Sequence, residues 1–318
     1  MIANADPRIR RNSLLQCLLA YLTAGAAAWA AGRALVLLAP HLLRQAPGPL
    51  LIAAAADLAA TIVIFAFSMG ADNSSMYDPY WSVAPVFIAL YWLVAYQLVP
   101  GRTGLELEID LRQAAVLVLI GVWGARLTCN WAGGWPGLNH EDWRYRGFRR
   151  KAGRAYWPAS FFGIHLFPTA IVFLGLLPVH MVMRDGAPVG LLDLAAAAVT
   201  GSAIALEAAA DRQLRRFRSG PPADGAVMDR GLWALMRHPN YLGEVLFWWG
   251  LLLFGIAAAP GAAWTVVGPA AMTLLFVLIS VPLMDAHMEE RRPGYRERTA
   301  GRPALLPDPR RLFGRGRS

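Results

Sequence analysis

The residues best placed to do chemistry stand in one stretch, GLWALMRHPNYLGEVLFWWG, covering 231–250: Arg237, His238, Asn240, Tyr241 and Glu244. Pro239 suits the first turn of a helix, where a missing N–H costs nothing. Asn240 and Glu244 are four apart and so share a helical face, with Trp248 one turn deeper. A carboxylate that close to apolar sequence is expensive unless it has a partner or a cavity. The N–H groups of a helix start, with Arg237 and His238 beside them, suit a phosphate. Together these residues read as the mouth of a cofactor site sunk into a membrane.

Four further clusters have the same character. In EAAADRQLRRFRSG, Glu207, Asp211, Arg215 and Arg218 recur at helical spacing along one stripe. They form either an interfacial anchor, with arginines reaching lipid phosphate, or a set of acids for ribose and amide groups with arginines clamping phosphates. His140 to Arg146, containing Asp142, Trp143 and Arg144, follows Arg126 and Asn130; it reads as a solvated charge run or as a surface for stacking and hydrogen bonding on a nucleotide. In NSSMYDPYWSVAP, Tyr77, Asp78 and Tyr80 offer either a capped aromatic belt or the polar end of a substrate pocket. In MDAHMEERRPGYRER, Asp285, His287 and Tyr295 belong either to an amphipathic tail or to a lid over the cofactor.

The elements that must position these residues are membrane helices. Of 318 residues, 56 % are hydrophobic and 16 % charged, the composition of a polytopic membrane protein. Apolar runs predict eight spans, at about 14–39, 49–70, 83–99, 113–131, 160–182, 189–210, 243–258 and 262–283. The last two are short and joined by Ala259-Pro260-Gly261, so a count of seven is the fallback. The expected class is an all-α polytopic bundle. Residues 1–48 would be a tail and an additional helix, 49–290 the core, and 291–318 an Arg- and Pro-rich tail along the membrane surface, disordered from Arg310.

Charge placement orients the bundle. With the N-terminus in the cytoplasm, that terminus, the loops 132–159 and 211–242 and the tail hold 3, 6, 6 and 9 basic residues, against four (Arg44, Arg102, Arg112, Arg184) in all outward loops. Such asymmetry is the positive-inside pattern and puts both termini in the cytoplasm. The net charge of +9 comes from these loops, with no basic face interleaved with aromatics, so nucleic acid is not an expected partner. No Rossmann, P-loop, GxSxG or HExxH pattern is present, and the six histidines lack metal-ligand spacing, so no metal is expected. Cys17 and Cys129 lie in apolar runs without CxxC spacing and read as buried thiols.

The run RHPNYLGE after a Gly-Leu-Trp turn, preceded by Asp211-x6-Arg218 and by EDWRY, resembles the membrane steroid 5-alpha-reductase family, and more closely a bacterial branch filed with it. The resemblance covers about 73–307. It implies a helical protein of the bacterial inner membrane that holds NADPH in a cytoplasmic cavity and reduces the C=C of an apolar enone such as a 3-oxo-Δ4 steroid. It further implies that Glu207, Asp211, Arg218, Arg230, Asn240 and Glu244 contact NADPH, that Asp285 and His287 lie near the last cofactor-binding segment, and that Asp78 polarises the substrate carbonyl. The family's proton-donating tyrosine precedes an Arg by three residues; that Arg resembles Arg126, and position 123 is Trp. Indole is a donor but a very poor acid, so Tyr77 or Tyr80, paired with Asp78, must replace it.

Two other readings compete. Isoprenylcysteine-type membrane methyltransferases carry a similar RHPxYxG stretch and bind S-adenosylmethionine, although methyl transfer needs no 2′-phosphate clamp of the Arg218 and Arg230 kind. A non-catalytic lipid binder with a decayed cofactor site is the third. The bilayer and an apolar substrate are the expected partners, with no obligate protein partner evident.

Overall fold

A computed structural model describes residues 6–44, 47–97, 108–184, 186–220 and 226–307. The described residues contain helices and turns and no strand. Eight helices among them are long and apolar enough to cross a membrane. They are α1 (Pro7–Leu38), α2 (Gly48–Gly70), α3 (Tyr80–Gln97), α4 (Leu111–Gly134), α5 (Trp143–Arg184), α6 (Leu191–Ser219), α7 (Pro239–Ala258) and α8 (Pro260–Arg291). Every expected span has its helix, and the last two are separate, so the count is eight rather than seven. Arg102 and the segment from Arg310 onward lie outside the described residues.

Local chemistry sets the ends. Asp110 accepts from the Gln113 N–H while the Gln113 side chain accepts from the Asp110 N–H, a reciprocal capping box at the start of α4. Asp6 caps α1, and Pro239 opens α7 in its first turn as expected. The charge run from Trp143 to Lys151, expected as part of a loop, is instead the first turns of α5. Asp142 accepts from the Arg144 N–H at 2.9 Å to start it, and Arg149, Arg150 and Lys151 complement the dipole at the end of its first segment. Likewise α6 continues through its arginines to Ser219, as the helical stripe of Glu207, Asp211, Arg215 and Arg218 expects. In both places a charged helix extends an apolar one, and hydropathy registers only the apolar part. At 42 residues α5 is about twice what a crossing needs, so these turns stand beyond the hydrocarbon. A π-helical turn at Phe161–Leu166 shifts its face part-way.

The chain divides into two compact units, 1–186 with α1–α5 and 187–318 with α6–α8. In the first unit, α1 is woven into the core: Cys17, Ala20 and Ala24 pack with Ala60, Ile64, Tyr77 and Tyr80. Arg10 donates to Ala132 O at 2.6 Å and to Trp135 O at 3.2 Å, a cation on the carbonyl end of α4. In the second unit α6 and α7 approach closely at Gly243 and Gly250. A Cβ on Gly243 would lie 2.8 Å from Glu207 Cβ and 2.9 Å from Ala203 O; one on Gly250 would lie 2.1 Å from Thr200 Oγ1.

Candidate functional site

In the second unit the site is built at the start of α7. Gly231, at φ +59°, turns the chain so that the Leu232 N–H donates to Gln213 Oε1 at 3.0 Å, and Trp233 Nε1 donates to Ala210 O at 3.1 Å. The Gly-Leu-Trp turn is thereby fastened to α6. A Cβ on Gly231 would lie 2.6 Å from Gln213 Oε1 in a conformation that L residues rarely adopt. Gly231→Ala should therefore cost about 2 kcal/mol, read as a lowered melting temperature.

Beyond the turn the chain is extended, and the segment after α8 folds back onto it. The N–H of Arg237 donates to Pro303 O and that of His238 to Ala304 O, both at 3.0 Å. Arg302 donates to the carbonyls of Met228, Trp233 and Arg298, holding the strap in place. The main-chain donors of Arg237 and His238 are taken by the chain itself, leaving the first-turn N–H groups after Pro239 as the helix-start donors. The tail as far as 304 is tied to the start of α7.

The side chains of Arg237 and His238 converge on Asp285 of α8. His238 Nε2 is 2.9 Å from Asp285 Oδ1, Arg237 Nη2 is 3.0 Å from Oδ2, and Tyr295 Oη donates to Oδ1 at 3.4 Å. The His238 ring stacks on Tyr241, which also meets the Phe276 ring. Burial and the Asp285 charge push the Tyr295 phenol up to about 12, so it stays a hydrogen-bond donor. Arg237, Asp285, Tyr295, Arg296 and Thr299, with Val281 and Pro282, wall a cavity of about 420 Å³. Arg237 Nε and Asn240 Oδ1 are buried without a hydrogen-bond partner among the described residues. His287, two residues beyond Asp285 on α8, lies on another face of that helix.

Deeper in the same unit Glu207 and Glu244 are both buried, Glu207 against Gly243 at the helix crossing. Glu244 Oε1 accepts from Trp248 Nε1 at 3.1 Å, the one-turn relation expected from the spacing. Asp211 and Arg215 follow along α6; Arg218 has Asp211, Arg291 and Arg292 as charged neighbours. Arg230 is exposed on the turn before α7.

In the first unit the expected substrate residues divide into two groups. Asp78 Oδ1 accepts from Tyr145 Oη and, at 3.4 Å, from Arg144 Nη2, while Arg144 Nε donates to Asp142 Oδ1 at 2.7 Å. Burial alone would raise the Asp142 carboxyl, but the Arg144 charge and hydrogen bonds outweigh it and hold it below the usual carboxylate range. Asp78, Asp142 and Arg144 are thus brought together, with Trp143 half-buried beside them. Arg126 and Asn130 lie half-buried one turn apart on α4, and Trp123 on the same helix is fully enclosed.

Tyr77 and Tyr80 do not pair with Asp78. Tyr80 Oη donates to Asp57 Oδ1 at 2.6 Å, and Tyr77 Oη pairs with Thr169 Oγ1 at 2.8 Å, which in turn is 3.1 Å from Thr61 Oγ1. Positions 77 and 80 are one turn apart and face inward together, whereas 78 between them faces α5. The carboxylate that the sequence reading missed is Asp57. It is the single acid in the α2 run, and a lone acid inside a membrane helix is itself a signal of function. Glu141 secures this region: it accepts from the Ser74 N–H and from Tyr156 Oη, each at 3.0 Å, and pairs with Arg149, whose guanidinium lies 4.0 Å from the Tyr156 ring centroid.

A family model described as "Protein of unknown function (DUF1295)" matches residues 64–300, a steroid 5-alpha-reductase-like family. An uncharacterised protein of Schizosaccharomyces pombe is 27 % identical over 229 residues, 64 % of this chain and 64 % of its own length. The chain therefore spans somewhat less than two thirds of that relative. No solved structure matches.

Proposed function

Since the chain belongs to the DUF1295 family, whose likeness is to membrane steroid reductases, we propose that it is an NADPH-dependent reductase of the C=C bond of an apolar enone, a steroid- or sterol-like lipid. The observation that carries this reading is the cavity at the start of α7. One buried acceptor, Asn240 Oδ1, and one buried donor, Arg237 Nε, stand three residues apart in the chain beside the Arg237–Asp285–His238 cluster. An acceptor and a donor are the complement of a carboxamide or a ribose hydroxyl. The chemistry of the donor set fits the group. Arg237, His238, Asn240, Tyr241, Asp285 and Tyr295 would hold it, Glu207, Asp211 and Glu244 would take its hydroxyl and amide groups, and Arg215, Arg218 and Arg230 its phosphates.

NADPH supplies a hydride when bound. The chain's own task is to position, to exclude water and to supply a proton. Tyr80 and Asp57 are the proton-donating pair in this reading. When Asp57 carries the proton, the bond between them reverses: the carboxyl O–H donates to Tyr80 Oη, and the phenol hydrogen is offered to the substrate oxygen. That stabilises charge developing there. Tyr77, in the hydroxyl network with Thr169 and Thr61, is a second donor beside it. Asp78 with Arg144 and Tyr145 forms the polar rim. In this reading apolar substrate arrives through the bilayer, and the arginine-rich loops and tail support a cofactor entrance on the cytoplasmic side of a bacterial inner membrane.

The test is a thermal-shift titration of the detergent-purified protein. NADPH at a hundred times its Kd should stabilise by about 2.7 kcal/mol, and S-adenosylmethionine should not. Arg218→Ala should weaken NADPH about tenfold or more and NADH little, because the lost partner is a phosphate. Stabilisation by S-adenosylmethionine alone would replace the proposal with the methyltransferase reading, and silence from both nucleotides would favour a non-catalytic lipid binder.

A further inference from the structure

The first segment of α5, Trp143–Ala152, does not run straight into the rest of that helix. It ends at Gly153, at φ +52°, and the chain turns through Gly153–Ala155 before the helix resumes at Tyr156. Along one straight helix Phe148 and Gly163 would lie about 22 Å apart. Instead the Phe148 ring reaches Gly163, with Cζ 3.2 Å from where a Cβ on Gly163 would stand, and Tyr145 packs with Tyr156 and Ile164. The charged segment is therefore folded back along the apolar one, at a level where Phe162 is 63 % exposed.

Helical periodicity sorts its side chains. Tyr145, Phe148 and Arg149 lie toward the rest of α5, while Arg146, Arg150 and Lys151 lie outward, with Arg154 at the bend; these four cations are exposed. No acid pairs with any of the four among the described residues. The nearby acids serve other arginines: Asp78 and Asp142 hold Arg144, and Asp72 and Glu141 hold Arg149. Four uncompensated cations thus stand close to two exposed apolar rings, Phe148 and Phe162, on a segment packed against a membrane-crossing helix.

We propose that this folded-back segment is a binding site for anionic phospholipid, with headgroup phosphate on Arg146, Arg150, Lys151 and Arg154 and acyl chains along Phe148 and Phe162. Arginine takes phosphate oxygens in bidentate pairs, and lysine takes them as a point charge. Clusters of four or more bases beside a membrane helix attract anionic lipid, each base contributing about fivefold in affinity near the surface. A soluble anion would use the cations and leave the phenylalanines idle; a lipid uses both. The segment and the residues just before it also secure the turn that carries Tyr77. Arg144 and Tyr145 hold Asp78, Glu141 accepts from the Ser74 N–H, and the Asp142 N–H donates to Ser75 Oγ at 2.9 Å. Lipid on the outer face therefore stabilises the first unit. Neither the site nor its test depends on the enone reading.

The experiment uses the full-length protein in phosphatidylcholine nanodiscs, with and without one third phosphatidylglycerol. It reads melting temperature, and the lipid retained in native mass spectrometry. The test variant is Arg146→Gln/Arg150→Gln/Lys151→Gln/Arg154→Gln. The control, Arg8→Gln/Arg11→Gln/Arg212→Gln/Arg216→Gln, removes the same charge from other exposed positions. Phosphatidylglycerol should raise the wild-type melting temperature by a few degrees. The test variant should lose most of that rise and retain about tenfold less phosphatidylglycerol or lower still, while melting within about a degree of wild type in phosphatidylcholine alone. The control should keep the rise. Should the fourfold variant be unstable in phosphatidylcholine, Arg146→Gln/Arg150→Gln and Lys151→Gln/Arg154→Gln are read in the same way, each losing part of the rise. Equal loss in the control, no response of the wild type, or an equal rise from millimolar inorganic phosphate without phosphatidylglycerol overturns the proposal.

Discussion

Tyr80→Phe should lower enone turnover by about 10²–10⁴-fold, the usual contribution of a positioned acid, with NADPH-dependent stabilisation unchanged. The Tyr80 hydroxyl is buried and held at 2.6 Å by Asp57, so its removal deletes a proton and little volume. Asp57→Asn should cause a loss of similar size, since an amide cannot relay a proton to the phenol. Asp78→Asn separates the two assignments for the carboxylate: its partners are Tyr145 and Arg144, so a smaller loss is expected. Single-turnover decay of NADPH absorbance would measure all three. Full activity in Tyr80→Phe would move the acid role to Tyr77.

The second large effect is on architecture. Gly243→Ala should destabilise the second unit by about 3 kcal/mol, at the upper end for overpacking. The added methyl would meet Glu207 Cβ at 2.8 Å, Ala203 O at 2.9 Å and Glu207 N at 3.1 Å, and two of these are backbone atoms that no rotamer change can move. The helices must separate, and Glu207 and Glu244 move apart with them. The same variant should therefore lose NADPH-dependent stabilisation beyond its own stability deficit. A melting temperature within a degree of wild type would show that the crossing is looser than these distances imply.

How much was legible depended on what each residue had to say locally. The spans were legible because every crossing helix must be apolar for about twenty residues, and Pro239 marked the start of α7 because a proline suits few helix positions. The Asn240–Glu244–Trp248 face followed from periodicity alone. The first turns of α5 were not legible because Tyr145 and Phe148 make only a thin apolar stripe among the charges of Asp142 to Lys151, and its helix start is set by a cap. The Tyr80–Asp57 pair was hidden for a different reason. Its members are 23 residues apart on two helices, and nothing local couples them. Asp78, adjacent in sequence, was the nearer candidate, and the helical turn at that point sends it the other way. The strap on Arg237 and His238 was equally hidden, since main-chain hydrogen bonds leave no signature in side-chain type.

That strap has a consequence for how the protein is made. Its accepting carbonyls, Pro303 and Ala304, are translated 66 residues after the N–H groups of Arg237 and His238 that donate to them. At about 5–20 residues per second, the start of α7 stays unclasped for roughly 3 to 13 s of synthesis. Asp285 is itself made only 18 residues before Pro303, so for about 1–4 s of that interval the polar edge around it has no closing segment, and the newly made chain is open there to chaperones and to membrane proteases before its own tail shuts over it.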